Sequence, residues 1–292
     1  MSDATANQGR QHAGDDEPGI PHPYHLVNPS PWPLMGAFAG GVFTTGMVIG
    51  MHDGGWWLVP IGVVLILLTM FLWWRDVIKE SVVEKAHSLI TKIGMRYGML
   101  LFIASEVMFF VAFFWGYFDP ALGFGDTRQY ERLAYTGDAW PPEGMYTIPP
   151  FGLPFLMTMI LLLSGTTVTW AHHALREGHI KEAANALGIT VGLGVAFLCL
   201  QVYEYNHAPY AFTDGVFPSA FFMATGFHGF HVFIGTCFLA VCWWRTTKGH
   251  FTPDSHFGFE AAAWYWHFVD VVWLFLFTVI YWWGAGATPP AH

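Results

Sequence analysis

Glu106, His228, His231, His267 and Asp270 are the side chains whose placement could support chemistry, because each falls in or beside a long apolar run. An ionisable group in lipid is costly to hold, so each is a candidate functional position. Glu106 lies about ten residues along its run, roughly 15 Å deep at 1.5 Å per helical residue. His231 lies about thirteen residues into another run from the same side, roughly 20 Å deep by the same rise. A carboxyl group at that level must carry its proton or meet a hydrogen-bond donor, since an isolated charge is disfavoured there. A Glu106–His231 pair meets that requirement and predicts that the two helices touch. His228 and His231 stand three apart on one helical face, which can be half of a metal site. The simpler reading is that both imidazoles hydrogen-bond to neighbouring helices, since no Cys partner or carboxylate-rich helix accompanies them. His172 and His173 are adjacent and point to different faces near the inner surface, which makes them weak ligands. His267 and Asp270 read as a local pair near the inner end of the last run. The motifs Trp73-Trp74-Arg75 and Trp243-Trp244-Arg245 can hold a lipid phosphate, or can be ordinary interfacial anchors.

The elements that must position these residues follow from composition. Hydrophobic residues make up 54% of the 292 and charged residues 11%, against about 25% charged in soluble domains. Runs free of Asp, Glu, Lys and Arg cover 32–52, 54–74, 107–118, 144–175, 183–203, 215–244 and 271–292. A helix needs about 20 apolar residues to cross a bilayer, so seven spans are expected, near 32–51, 56–74, 97–118, 152–175, 183–204, 217–244 and 264–284. Strands of a β-barrel would alternate over about ten residues, and these runs do not. The fold class is therefore all-α integral membrane with seven transmembrane helices.

Ten of the 12 basic residues fall between spans two and three, four and five, or six and seven, or before span one, leaving only Arg128 and Arg132 on the other side. By the positive-inside rule the amino terminus is cytoplasmic, or in the matrix, and the carboxyl terminus is outside. The net charge of −9 argues against a nucleic-acid partner, which wants a basic stripe. Cys199, Cys237 and Cys242 sit inside spans and read as small buried apolar residues. The expected organisation is a polar arm at 1–30, helices one and two within 31–75, an inner connecting segment at 76–96, helices three to seven within 97–284 with an outer loop at 119–150, and a tail at 285–292.

Several strings then become recognisable. Phe102-Ile103-Ala104-Ser105-Glu106-Val107-Met108-Phe109-Phe110, Thr169-Trp170-Ala171-His172-His173, Ala224 to Val232, and Gly258 to Leu276 resemble signatures of cytochrome c oxidase subunit III. Val27 to Pro33 and Trp73 to Ile78 do so as well, and the resemblance runs from about residue 24 to 284. It implies two helical bundles, one to two and three to seven, forming a V-shaped cleft filled with structural phospholipid. It implies a subunit of a proton-translocating aa3-type terminal oxidase that holds no catalytic centre. Haem a, haem a3 and copper would then reside in partner subunits I and II, with a respiratory supercomplex as a further assembly. The family's intramembrane glutamate falls on Glu106, with His231 beside it as proton-related. Its lipid-binding positions fall on Trp74, Lys79, Phe102, His231 and Arg245. The role implied is to stabilise subunit I, bind phospholipid and support proton uptake. The acidic amino-terminal extension points to a bacterial inner membrane, with the mitochondrial inner membrane as the alternative. A related quinol oxidase subunit, a stand-alone redox protein with His-ligated haem or metal, and a transporter using Glu106 remain the competing readings.

Overall fold

The computed structural model describes residues 28–84, 86–122 and 139–286, together with positions 131, 134 and 136. Most of the 1–30 arm, with Arg10, lies outside the described residues, as do Lys85, Arg128, Arg132 and the end of the tail. Seven helices among the described residues are long and apolar enough to cross a membrane. They are α1 (Trp32–Met51), α2 (Leu58–Val82), α3 (Leu89–Ala121), α4 (Leu153–Arg176), α5 (Ile180–Asn206), α6 (Val216–Thr247) and α7 (Phe257–Leu276), the last continued by a π-helical stretch, Phe277–Trp283. No β-strand occurs among the described residues; the nearest feature is an isolated bridge between Thr252 and Ser255.

The helices are longer than the apolar runs because their ends carry polar residues that remain good helix formers. α2 continues through Arg75-Asp76-Val77-Ile78-Lys79 to Val82, and α3 begins at Leu89. The expected 76–96 connection thus contracts to a short link. At the other end of the chain, the Gly258-Phe259-Glu260-Ala261-Ala262-Ala263 stretch is helical, so α7 starts at Phe257 and not near 264. This correction matters for chemistry. His267 and Asp270 lie midway along a 27-residue membrane-spanning segment and not near its inner end. Glu106 is therefore not the sole acid at depth.

The chain divides into two compact units between Met95 and Arg96. In the first, α1 and α2 form an antiparallel hairpin through a tight turn in which Asp53 takes φ 63°, a left-handed conformation that Asp tolerates better than most residues. Trp32 Nε1 donates to Asp76 Oδ2 at 2.7 Å, tying the start of α1 to the carboxyl-terminal part of α2.

The second unit is organised around α7, whose Trp266 and Trp273 are fully buried. Each indole N–H donates to a hydroxyl on α4: Trp266 to Ser164 Oγ and Trp273 to Thr158 Oγ1, both at 2.9 Å. Trp266 fits because Gly194 on α5 and Gly235 on α6 present no side chain; a Cβ there would come within 2.8 Å and 2.9 Å of its ring. Small residues at helix crossings replace the hydrophobic driving force that lipid cannot supply. The cysteines follow a different rule from the one expected. Cys242 is buried, whereas Cys199 and Cys237 are exposed on the outer faces of their helices. At membrane depth a thiol is apolar enough to face outward without cost.

Candidate functional site

Glu106 on α3 and His231 on α6 meet. His231 Nε2 is 2.9 Å from Glu106 Oε2, and the imidazole side chain is 9% exposed against 22% for the carboxyl. The sequence places both residues at like depth, and long straight helices keep that register. His231 Nδ1 lies 2.6 Å from the Phe227 carbonyl. A carbonyl only accepts, so Nδ1 carries a proton and donates it. The 2.9 Å contact then needs one further proton, on Nε2 or on Oε2. The pair consequently holds a single proton between an acid and a base, and is electrically neutral wherever that proton resides. Phe109, Phe110, Tyr265 and Phe268 surround the imidazole with ring centroids 4.9–6.4 Å away. Rings around the pair keep the local dielectric low, which strengthens the shared bond.

His228 does not join His231. It is fully buried, donates from Nε2 to the Val269 carbonyl on α7 at 3.2 Å, and packs against Phe197 and Trp273. The two imidazoles of the His-x-x-His motif are thus committed to different helices. His267 Nδ1 is 3.7 Å from Asp270 Oδ2, and its Nε2 is 3.1 Å from Thr169 Oγ1 on α4. His172 lies edge-on to His256, with ring centroids 5.3 Å apart. Among the described residues, no group of three or more His, Cys, Asp or Glu side chains is placed to share a metal ion.

Of the lipid-contacting candidates, Trp74, Lys79 and Phe102 sit at the surfaces of their own units, whereas His231 is buried. Trp74 is exposed, and Lys79, also exposed, pairs with Glu84 at 3.3 Å. Phe102 is exposed and stacks on Tyr265 at 6.3 Å. Arg245, in the last turn of α6, lies over the Phe251 ring at 4.3 Å, and its Nε is buried without a hydrogen-bond partner. Gly258 admits the guanidinium: a Cβ there would come within 2.9 Å of Nη1. Just beyond the helix, burial and then the charges of Arg245 and Lys248 hold the His250 imidazole below its ordinary value. His250 is therefore neutral at neutral pH and adds no charge to the neighbourhood of Arg245.

Two constellations were not legible as sites. Arg96 binds Glu260 through Nε at 3.0 Å and Nη2 at 2.9 Å, joining α3 to the first turn of α7. Glu204 is buried at 3% exposure near the end of α5, although span five appeared to end there. The signal available was Gln201 three residues earlier, which puts a second polar side chain on the same helical face.

Seven apolar helices, a buried acid–base pair and an interior of indole–hydroxyl contacts define a polytopic membrane subunit. Comparison with known proteins makes that class specific. The family described as cytochrome c oxidase subunit III matches residues 22–285. Proteins named cytochrome c oxidase subunit 3 from Marchantia polymorpha, Scyliorhinus canicula and Danio rerio are 54%, 53% and 52% identical to this chain. Those matches cover 90% of this chain and 97–98% of the relatives. The chain belongs to the cytochrome c oxidase subunit III family, and is thereby a membrane-embedded part of a multi-subunit oxidase.

Proposed function

We propose that this chain is the non-metal structural and regulatory subunit of an aa3-type cytochrome c oxidase. It stabilises subunit I, retains phospholipid and supports proton uptake, while haem a, haem a3 and copper reside in subunits I and II. The observation that carries this reading is the Glu106–His231 pair, a single shared proton held by two membrane-spanning helices. Such a pair can pass its proton between carboxyl and imidazole without creating net charge in a low-dielectric interior, and uptake or release of a proton there changes its charge by one. It offers no route for electrons, so its influence on the oxidase is on protons alone.

Lipid retention rests on Arg245, whose buried, unpartnered Nε is a donor awaiting an acceptor. A phosphate is the acceptor that suits a guanidinium beside a membrane surface. Trp74, Lys79, Phe102 and His231 supply the aromatic and polar contacts expected of acyl chains and headgroups. The segregation of Lys and Arg supports an inward amino terminus and an outward carboxyl terminus. The acidic segment Asp15-Asp16-Glu17, upstream of the matched region, favours a bacterial plasma membrane over a mitochondrial one.

The test is purification in mild detergent through a tag on this chain, followed by an optical spectrum and metal analysis. Haem a and copper should co-purify with two larger partners and be absent from this chain when it is stripped away. Stoichiometric haem or metal on the isolated chain would overturn the reading and make His228, His231 and His267 ligand candidates.

A further inference from the structure

The Glu106–His231 pair does not account for a second buried acid. Glu204 is 3% exposed and Gln201, one turn earlier on α5, is 4% exposed. Tyr281 Oη donates to Glu204 Oε1 at 2.5 Å, and Gln201 Nε2 lies 3.4 Å from the same oxygen. Tyr281 reaches it from the π-helical stretch Phe277–Trp283. A π-helical turn is rare and recurs at functional sites. The remaining oxygens, Glu204 Oε2 and Gln201 Oε1, are both buried and have no hydrogen-bond partner.

Two buried acceptor oxygens with no donor would carry a desolvation penalty. A proton on Glu204 Oε2 lowers that penalty, because the carboxyl is then uncharged and Oε2 is a donor. The groups that face the carboxyl are neutral on every side. They are Tyr205 on α5, which bonds Thr225 of α6 at 2.7 Å, Tyr210 in the α5–α6 turn and Tyr281 itself. Neither hydrogen-bond partner of Glu204 is a cation. One turn further on, exposed His207 caps α5.

We propose that Glu204, Gln201 and Tyr281 form a second proton-holding site, in the half of the unit opposite the basic ends of the helices. Glu204 carries its proton at rest and exchanges it with water at the α5–α6 turn. On release the carboxyl O–H bond breaks and the proton passes to water. The Tyr281 O–H and the Gln201 N–H then hold the carboxylate left behind. The site stands independently of the role assigned to Glu106.

The test is infrared spectroscopy of the intact complex carrying wild-type, E204Q or Y281F chain, in H2O and after transfer to D2O. Wild-type complex should show a protonated-carboxyl C=O band that is missing from E204Q and moves on deuteration. In Y281F the band should persist at higher frequency, because the carbonyl oxygen loses its phenolic donor. Loss of no such band in E204Q, at any pH where the complex is intact, overturns the proposal. A band that never responds to D2O also overturns it, since the acid is then sealed and exchanges nothing. Where E204Q fails to assemble, Y281F decides alone: a band that neither shifts with the substitution nor moves in D2O sinks the site.

Discussion

At the scale of single residues, the Glu106–His231 contact makes a sharp distinction between a hydrogen bond and a proton. Glu106→Gln keeps a side chain of the same size whose amide N–H can donate to His231 Nε2, so the bond survives while the mobile proton is lost. Electron transfer should continue, and proton uptake measured with a pH indicator during turnover should fall without being abolished. Wild-type proton uptake in that variant would remove Glu106 from the pathway. Arg245→Ala deletes the buried guanidinium that stands over Phe251. Bound phospholipid, measured by mass spectrometry of the purified complex, should drop, and activity should decay sooner under sustained turnover. Depth arithmetic made the Glu106–His231 pair legible, since both partners lie far into expected spans, near 97–118 and 217–244. Glu204 stayed hidden because an acid at the end of an apolar run looks like an ordinary interfacial residue. Its burial comes from Tyr281, seventy-seven positions away in sequence.

At the scale of helices, α7 is the post against which α4, α5 and α6 are set, and Trp266 is where they converge. Gly235→Leu would drive a branched side chain into the Trp266 ring. Overpacking of this kind costs about 1–3 kcal/mol, so thermal unfolding of the complex should move to lower temperature. Gly192→Ala, on the same helix as Gly194 but with open space before it, should leave the transition where it is. The Arg96–Glu260 bridge is a milder case, because its arginine is 45% exposed. Exposed pairs are worth about 0.2–1 kcal/mol, so Arg96→Ala should produce a small destabilisation that shrinks further in high salt. The seven helices were legible because apolar run length is a direct reading of bilayer thickness. Their ends were not. Charge counting stops a span at the first Arg or Glu, whereas α2 and α7 continue through Arg75 and Glu260 as polar but helix-favouring turns. That error misplaced Asp270, which reads as interfacial from one end and central from the other.

At the scale of the molecule, the charge pattern predicts a topology in which ten of the 12 basic residues share one side of the membrane. Substituted cysteines test it directly. In sealed vesicles, Lys248→Cys and Glu143→Cys should react with a membrane-impermeant maleimide from opposite faces. Labelling of both from one face would invert or break the seven-span topology. The division between Met95 and Arg96 falls inside a continuous helix and not in a loop. The π-helical turn at Phe277–Trp283 bears on how this chain can change length over generations. It accommodates extra backbone within a segment that is otherwise α-helical, and Tyr281 bonds Glu204 from that widened turn. A one-codon deletion there would restore an ordinary α-helix, rotate everything after it by about 100°, as 3.6 residues per turn requires, and carry the tyrosine away from its acid. The carboxyl-terminal helix should therefore tolerate exchange of residue types far better than any change in their number.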